Sequence, residues 1–176
     1  MLNLFRSTVY VRIKPERLSV LHLESGNEHS DVPALAIARK DGKSVVLGVG
    51  HAAAASGGSD VKLAHGFKHP RTPLADFTVA EQPLKYFLKR VLPRTLFRPA
   101  PVLVIHPQAQ LEGGLTQIEI RAFVELGLGA GARKVYVWDG PELTREELGA
   151  LRFSRVGGKL LHPEPAEGCS ASLTQP

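Results

Sequence analysis

Val102-Leu103-Val104-Ile105 and Lys134-Val135-Tyr136-Val137-Trp138 are two short, almost uninterrupted apolar runs, and the stretch between them, Thr116 to Leu126, has helical spacing. Apolar runs of this length without polar alternation suit strands buried on both faces, as in a sheet whose parallel strands are crossed by helices. Upstream, Leu84, Phe87, Leu88, Val91 and Leu92 recur at helical spacing with Lys85, Lys89 and Arg90 between them, predicting a helix over Val79–Leu92 that Pro93 ends. Downstream, Pro141 to Leu151 predicts a last helix with proline at its first position. Before all of these come two strand pairs. Thr8–Ile13 and Leu18–Leu23 flank Lys14-Pro15-Glu16-Arg17, and Ala34–Ala38 and Ser44–Leu47 flank Lys40-Asp41-Gly42-Lys43, whose Asp-Gly is a strong hairpin signal. A small helix at Ala52–Ala55 and an edge strand at Val61–Ala64 follow. The expected fold is α/β: a mixed sheet with N-terminal antiparallel hairpins on one side and parallel strands crossed by helices on the other.

The 176 residues, 43% hydrophobic and 22% charged, fit one packed domain. Beyond Leu151, residues 152–176 turn Gly-, Pro- and Ser-rich without periodicity and read as a tail. The single cysteine, Cys169, excludes an internal disulfide and a multi-cysteine zinc site. The opening Met1-Leu2-Asn3-Leu4-Phe5-Arg6 lacks the long apolar centre of an export signal, so secretion is not expected.

Several patterns that can carry chemistry are incomplete. Gly48-Val-Gly50-His51-Ala52-Ala53 has the G-x-G-x-x-A form, but no acidic residue follows about 20 positions on, and the helix after it is short. A tight strand-to-helix turn accounts for it. Gly127-Leu-Gly129-Ala-Gly131 reads as a helix terminus. His51, His65, His69 and His106 show no metal-ligand pairing, no Gly-x-Ser-x-Gly elbow occurs, and no metal or cofactor is expected. The formal charge of +5 favours anionic partners, and Lys85, Lys89, Arg90, Arg94 and Arg98 concentrate it on and after one helix. A solvated helix face is the simpler reading of that cluster. No aromatic-interleaved platform or nucleic-acid motif is present, so nucleic acid is not an expected partner.

From Pro33 to about Leu148 the chain resembles the front part of the bacterial actin-like rod-shape proteins, the MreB family. The resemblance rests on Pro33-Ala-Leu-Ala-Ile37, Val49-Gly50-His51-Ala52, Ala75-Asp76-Phe77-Thr78-Val79-Ala80-Glu81, Leu84 to Lys89, Phe97 to Val104, Thr116 to Ala122 and Gly129 to Tyr136, in common order and similar spacing. It implies one lobe of an actin-like fold over residues 1–151, with a small inserted subregion at about 24–75. In the family the first hairpin carries Asp-x-Gly-Thr, whose carboxylate helps hold magnesium and whose glycine lets amides approach phosphates. Here Arg12-Ile13-Lys14-Pro15 stands in that place: Arg12 reverses the charge, Lys14 adds a side chain and Pro15 removes an amide donor. Glu119 resembles the family's water-orienting glutamate, yet Thr116-x-x-Glu119 also has the form of a capping box. Arg12, Lys14, Pro15 and Glu119 are thus expected to be vestiges of a nucleotide site.

These readings lead to an expected non-enzyme: an MreB-like interaction or scaffold component of a bacterial cell-shape assembly. It would be cytoplasmic and peripheral at the inner membrane, with a protein partner or copies of itself and a weak membrane-surface contact. The alternatives are a half-site ATPase completed by a chain supplying the second lobe, or a membrane- or anion-binding module.

Overall fold

The computed structural model describes residues 7–94, 99–108, 113–154 and 156–163. The strands are β1 (Thr8–Lys14), β2 (Arg17–His22), β3 (Glu28–Asp31), β4 (Ala34–Lys40), β5 (Lys43–Val49), β6 (Val61–His65), β7 (Val102–Pro107), β8 (Lys134–Asp139) and β9 (Lys159–His162). The helices are α1 (His51–Ala55), α2 (Phe77–Val91), α3 (Gln117–Gly129) and α4 (Arg145–Ala150). A six-stranded sheet runs β3-β2-β1-β7-β8-β9, and a separate three-stranded sheet runs β5-β4-β6. In the large sheet β1, β7 and β8 are parallel, with Thr8 beside Val102 and Val102 beside Lys134, while β2, β3 and β9 are antiparallel. This is the mixed α/β architecture expected from the sequence.

Strand alternation divides the core into two layers. Val9, Val11 and Ile13 of β1, Leu103 and Ile105 of β7, and Val135 and Val137 of β8 face α2 and α3, meeting Leu84, Phe87, Val91, Phe123 and Leu126. Burying each such large apolar side chain contributes about 1.5–3 kcal/mol. Tyr10, Val104 and Trp138 point to the opposite face and pack on Leu143 and Leu148. β7 is buried along its whole length, which explains its unbroken apolar sequence.

Local chemistry sets the helix ends. The Asp76 carboxylate accepts from the Val79 N–H at 3.0 Å, so α2 starts at Phe77, two residues before the predicted start. α3 runs to Gly129, past Gly127, because Gly127 lets the helix lie against the sheet: a Cβ there would stand 2.6 Å from Val135 Cγ2. Of the three glycines read as a terminus, only Gly131 has positive φ, at 100°. α4 spans Arg145–Ala150 rather than Pro141–Leu151. Thr144 is its cap, paired reciprocally with Glu147, and Leu151 turns left-handed to end it. Pro141 lies before the helix, where its carbonyl accepts from Trp138 Nε1 at 2.9 Å.

The predicted tail contains a strand. Lys159–His162 pairs with β8, with Leu160 packed on one core layer and Leu161 on the other. In the small sheet, Asp41 and Gly42 both adopt positive φ between β4 and β5, the geometry that an Asp-Gly hairpin turn requires. Val45, Val46 and Leu47 of β5 and Leu63 of β6 are 39–47% exposed, giving that sheet an apolar surface open to solvent.

Candidate functional site

The parallel strands β1, β7 and β8 all end on one edge of the large sheet, at Lys14, Pro107 and Asp139. Ligands of open α/β sheets bind outside the carboxyl ends of the strands. The first hairpin turn, Gln108, the start of α3 and the Gly140–Leu143 segment that follows β8 also lie at that edge.

Arg12 extends the alternation of Tyr10 and emerges on the same sheet face. Its guanidinium donates to Glu28 Oε1 at 2.5 Å and to Glu142 Oε2 at 3.2 Å, and Gln108 Nε2 donates to Glu142 Oε1 at 3.1 Å. The Gln108 hydrogen bond and the Arg12 charge hold the Glu142 carboxyl below the usual range against some desolvation. Beneath this network the buried Tyr10 hydroxyl and His106 Nδ1 lie 2.6 Å apart, and the Leu143 N–H donates to the same hydroxyl at 3.3 Å. The imidazole also hydrogen-bonds the backbone of Gly140. Burial pushes the Tyr10 pKa up and the His106 pKa down, so His106 is a neutral acceptor for the Tyr10 hydroxyl. The pair therefore ties the Gly140–Leu143 segment, and Glu142 with it, to the end of the sheet.

The other predicted positions surround this centre. Lys14 is exposed at the end of β1, and Pro15 and the adjacent Glu16 form the turn, with Glu16 accepting from Lys68 Nζ at 2.8 Å. Glu119 Oε2 accepts from the Thr116 N–H and hydroxyl, each at 2.8 Å, completing a capping box at the start of α3. Desolvation raises the Glu119 pKa, but the Thr116 bonds and a further one from Thr72 outweigh it and leave the carboxyl below its ordinary value. Arg12, Lys14, Pro15 and Glu119 thus share one edge.

The basic cluster on α2 stands apart from this edge. Lys85 pairs with Glu81 at 3.0 Å, and Arg90 lies over the Tyr86 ring at 5.9 Å. Lys85 and Lys89 rim a cavity of about 330 Å³ floored by Leu88, Leu92 and Pro101. Arg94 is exposed just beyond the helix, while Arg98, the Met1–Arg6 stretch and Cys169 lie outside the described residues. The Gly48–Ala53 turn is held by Asp31, which accepts from the His51 N–H at 3.0 Å and hydrogen-bonds the His51 ring. Gly50 adopts positive φ against that carboxylate, which explains the glycine without a phosphate.

A divalent metal does not fit the carboxyl edge. The position where the resemblance implies a metal-holding carboxylate carries a guanidinium, and the two nearby carboxylates are engaged by it. Among the described residues no group of three His, Cys, Asp or Glu side chains is gathered to hold an ion. Sequence reading missed Glu28, Gln108 and Glu142. Their only advance signal is Arg12 itself, a charge between apolar neighbours in a central strand, which needs carboxylate partners from adjacent elements.

The half-wound sheet, with its antiparallel hairpin, parallel crossovers and helices on both faces, is one lobe of an actin-like fold. It superposes on MreB5 of Spiroplasma citri bound to AMPPNP with a TM-score of 0.57 at 16% identity, covering 75% of this chain and 38% of that one. It matches a MamK double helical filament with a TM-score of 0.54 at 13% identity, covering 75% and 40%. Within this class the chain is MreB-like: 69 residues are 46% identical to the cell shape-determining protein MreB of Pasteurella multocida (strain Pm70). That match covers 39% of this chain and 18% of the relative, so the chain spans only a small part of the length of the curated relatives it matches. No family model matches the chain.

One expectation is overturned by these likenesses. The loss of the Asp-x-Gly-Thr motif pointed to a chain outside the enzymes, but solved chains of the same fold are bound to AMPPNP and to ADP, so the changed motif does not place this chain outside the enzymes. A nucleotide cleft is built from several chain segments, so a changed hairpin does not by itself abolish it.

Proposed function

We propose that this chain is an MreB-like component of the bacterial cell-shape cytoskeleton, that it associates with copies of itself or with other actin-fold chains, and that its carboxyl edge forms one wall of an adenine-nucleotide site. What supports the reading is that Arg12, Lys14 and Pro15 lie at the carboxyl end of β1 and Glu119 at the start of the helix that follows β7, in a lobe whose neighbours include an AMPPNP complex. Lys14 and Arg17 offer cations at the turn and Glu119 a carboxylate at the start of α3, while a second lobe supplies the opposite wall. Association is supported by the exposed apolar surface of the small sheet and by the filament formed by the fold neighbour MamK. On this reading the chain works in the cytoplasm, and the basic face of α2 contacts the anionic inner surface of the membrane. Among the described residues no helix is long and apolar enough to cross a membrane.

The test is calorimetric titration of the purified chain with AMPPNP, alone and mixed with an MreB protein, alongside sedimentation of the mixture. Saturable AMPPNP heats and co-sedimentation are expected. Neither heats nor co-sedimentation in any mixture would refute the reading.

A further inference from the structure

We propose that the Arg12 guanidinium, clamped between Glu28 and Glu142, occupies the place of a divalent cation at the carboxyl edge, so that an adenine nucleotide binds here without Mg²⁺ and its phosphates meet the cations Lys14 and Arg17 directly. The nucleotide half of this inference rests on the functional reading above; the cation half rests on the geometry around Arg12, at the position where the resemblance implies a metal-holding carboxylate.

Three elements meet at Arg12. Glu28 comes from β3, Glu142 from the segment after β8, and Gln108 from just beyond β7, and their contacts at 2.5, 3.2 and 3.1 Å form one connected chain. A hard divalent ion at such a place would be held by carboxylate and carbonyl oxygens. Here both carboxylates already accept from a planar cation that cannot be deprotonated and that matches carboxylate geometry with its fork of donors. Seating Mg²⁺ between them would place it against that fixed positive charge, so repulsion opposes entry as well as ligand occupancy. Arg12 also lies 5.7 Å from the centre of the Tyr10 ring, which holds the guanidinium over the buried Tyr10–His106 pair. At the mouth, Lys14 and Arg17 are exposed, and neither enters an ion pair among the described residues. Their charge is available to an anion, whereas that of Arg12 is spent within the protein.

The experiment has two arms on the full chain. In the first, AMPPNP is titrated in EDTA and in millimolar MgCl₂. Affinities within about threefold of each other are expected, and a gain of tenfold or more with Mg²⁺ would overturn the proposal. In the second, thermal melting is followed with MgCl₂ alone. The wild-type midpoint should not move, whereas Arg12→Asp, which gathers three carboxylates, should be raised by several degrees, and Arg12→Gln should respond less. A wild-type midpoint that rises with Mg²⁺ would refute the cation claim even if Arg12→Asp does not fold. No AMPPNP binding in either buffer, by the chain alone or mixed with an MreB protein, would refute the nucleotide half and the nucleotide part of the reading it rests on, leaving the melting arm to decide the role of Arg12.

Discussion

Replacing Tyr10 by phenylalanine removes one oxygen atom and tests how the candidate site is held together. The hydroxyl stands 2.6 Å from His106 Nδ1 and accepts from the Leu143 N–H at 3.3 Å, with Tyr10 and His106 only 3% and 2% exposed. The ring packing on Val104, Trp138 and Leu148 is retained in the variant, so the loss is almost purely polar. Two buried groups are left without a partner, each at a cost of about 1–3 kcal/mol, giving a total of about 2–6 kcal/mol. With a urea dependence of about 2 kcal/mol/M for a domain of this size, the unfolding midpoint should fall by about 1–3 M. Trp138, the single tryptophan and fully buried, reports the transition by its fluorescence. Tyr136→Phe is the control: that ring tilts over Phe153 at 5.2 Å, and its loss of a hydroxyl should change stability by less than about 0.5 kcal/mol. A Tyr10→Phe variant as stable as the control would refute the view that the Tyr10–His106 pair anchors the segment carrying Glu142.

Gly127→Ala places a methyl group 2.6 Å from Val135 Cγ2 and 3.2 Å from Ile105 Cδ1, and should cost about 1–3 kcal/mol in urea unfolding as α3 is pushed off the sheet. Thr144→Ala removes the capping box of α4 and should cost about 1 kcal/mol, read by the same assay. His106 is held below its ordinary pKa of 6.5 by burial, so the unfolded chain takes up its proton first as the solution is acidified. Its contribution is therefore complete above pH 6.5 and is lost as pH falls from there toward the folded-state value; urea midpoints at pH 7.5 and 5.5 should show the drop, and His106→Gln should flatten it.

The parts of the fold that the sequence revealed are those where local pattern and final burial agree. β7 and β8 are apolar because both their faces are covered, and the Asp41-Gly42 turn needs the positive φ that those residues tolerate. β3, Glu-His-Ser-Asp, gives no such signal: it is a polar strand that exists by pairing with β2. β9 is hidden in the same way, since four residues ending at His162 become a strand only when β8 offers an open edge. In the site, Arg12 was legible as a departure from a motif, but its partners were not. Glu142 lies 130 residues away along the chain and Glu28 lies 16 away, and no spacing rule connects them. Thr116 and Glu119 were readable because a capping box is a purely local device.

The place of β1 in the sheet also governs when the protein can fold. β1 precedes the other strands of its sheet in the chain and lies between β2 and β7, so Thr8 reaches its parallel neighbour only after Val102 has been made. At a translation rate of about 5–20 residues per second, the nascent chain spends on the order of 5–20 s with one apolar edge of its central strand unpaired. During that interval the β1–β2 hairpin is a strand edge without a mate. Its exposure to chaperones or to neighbouring nascent chains is fixed by the order of elements in the fold.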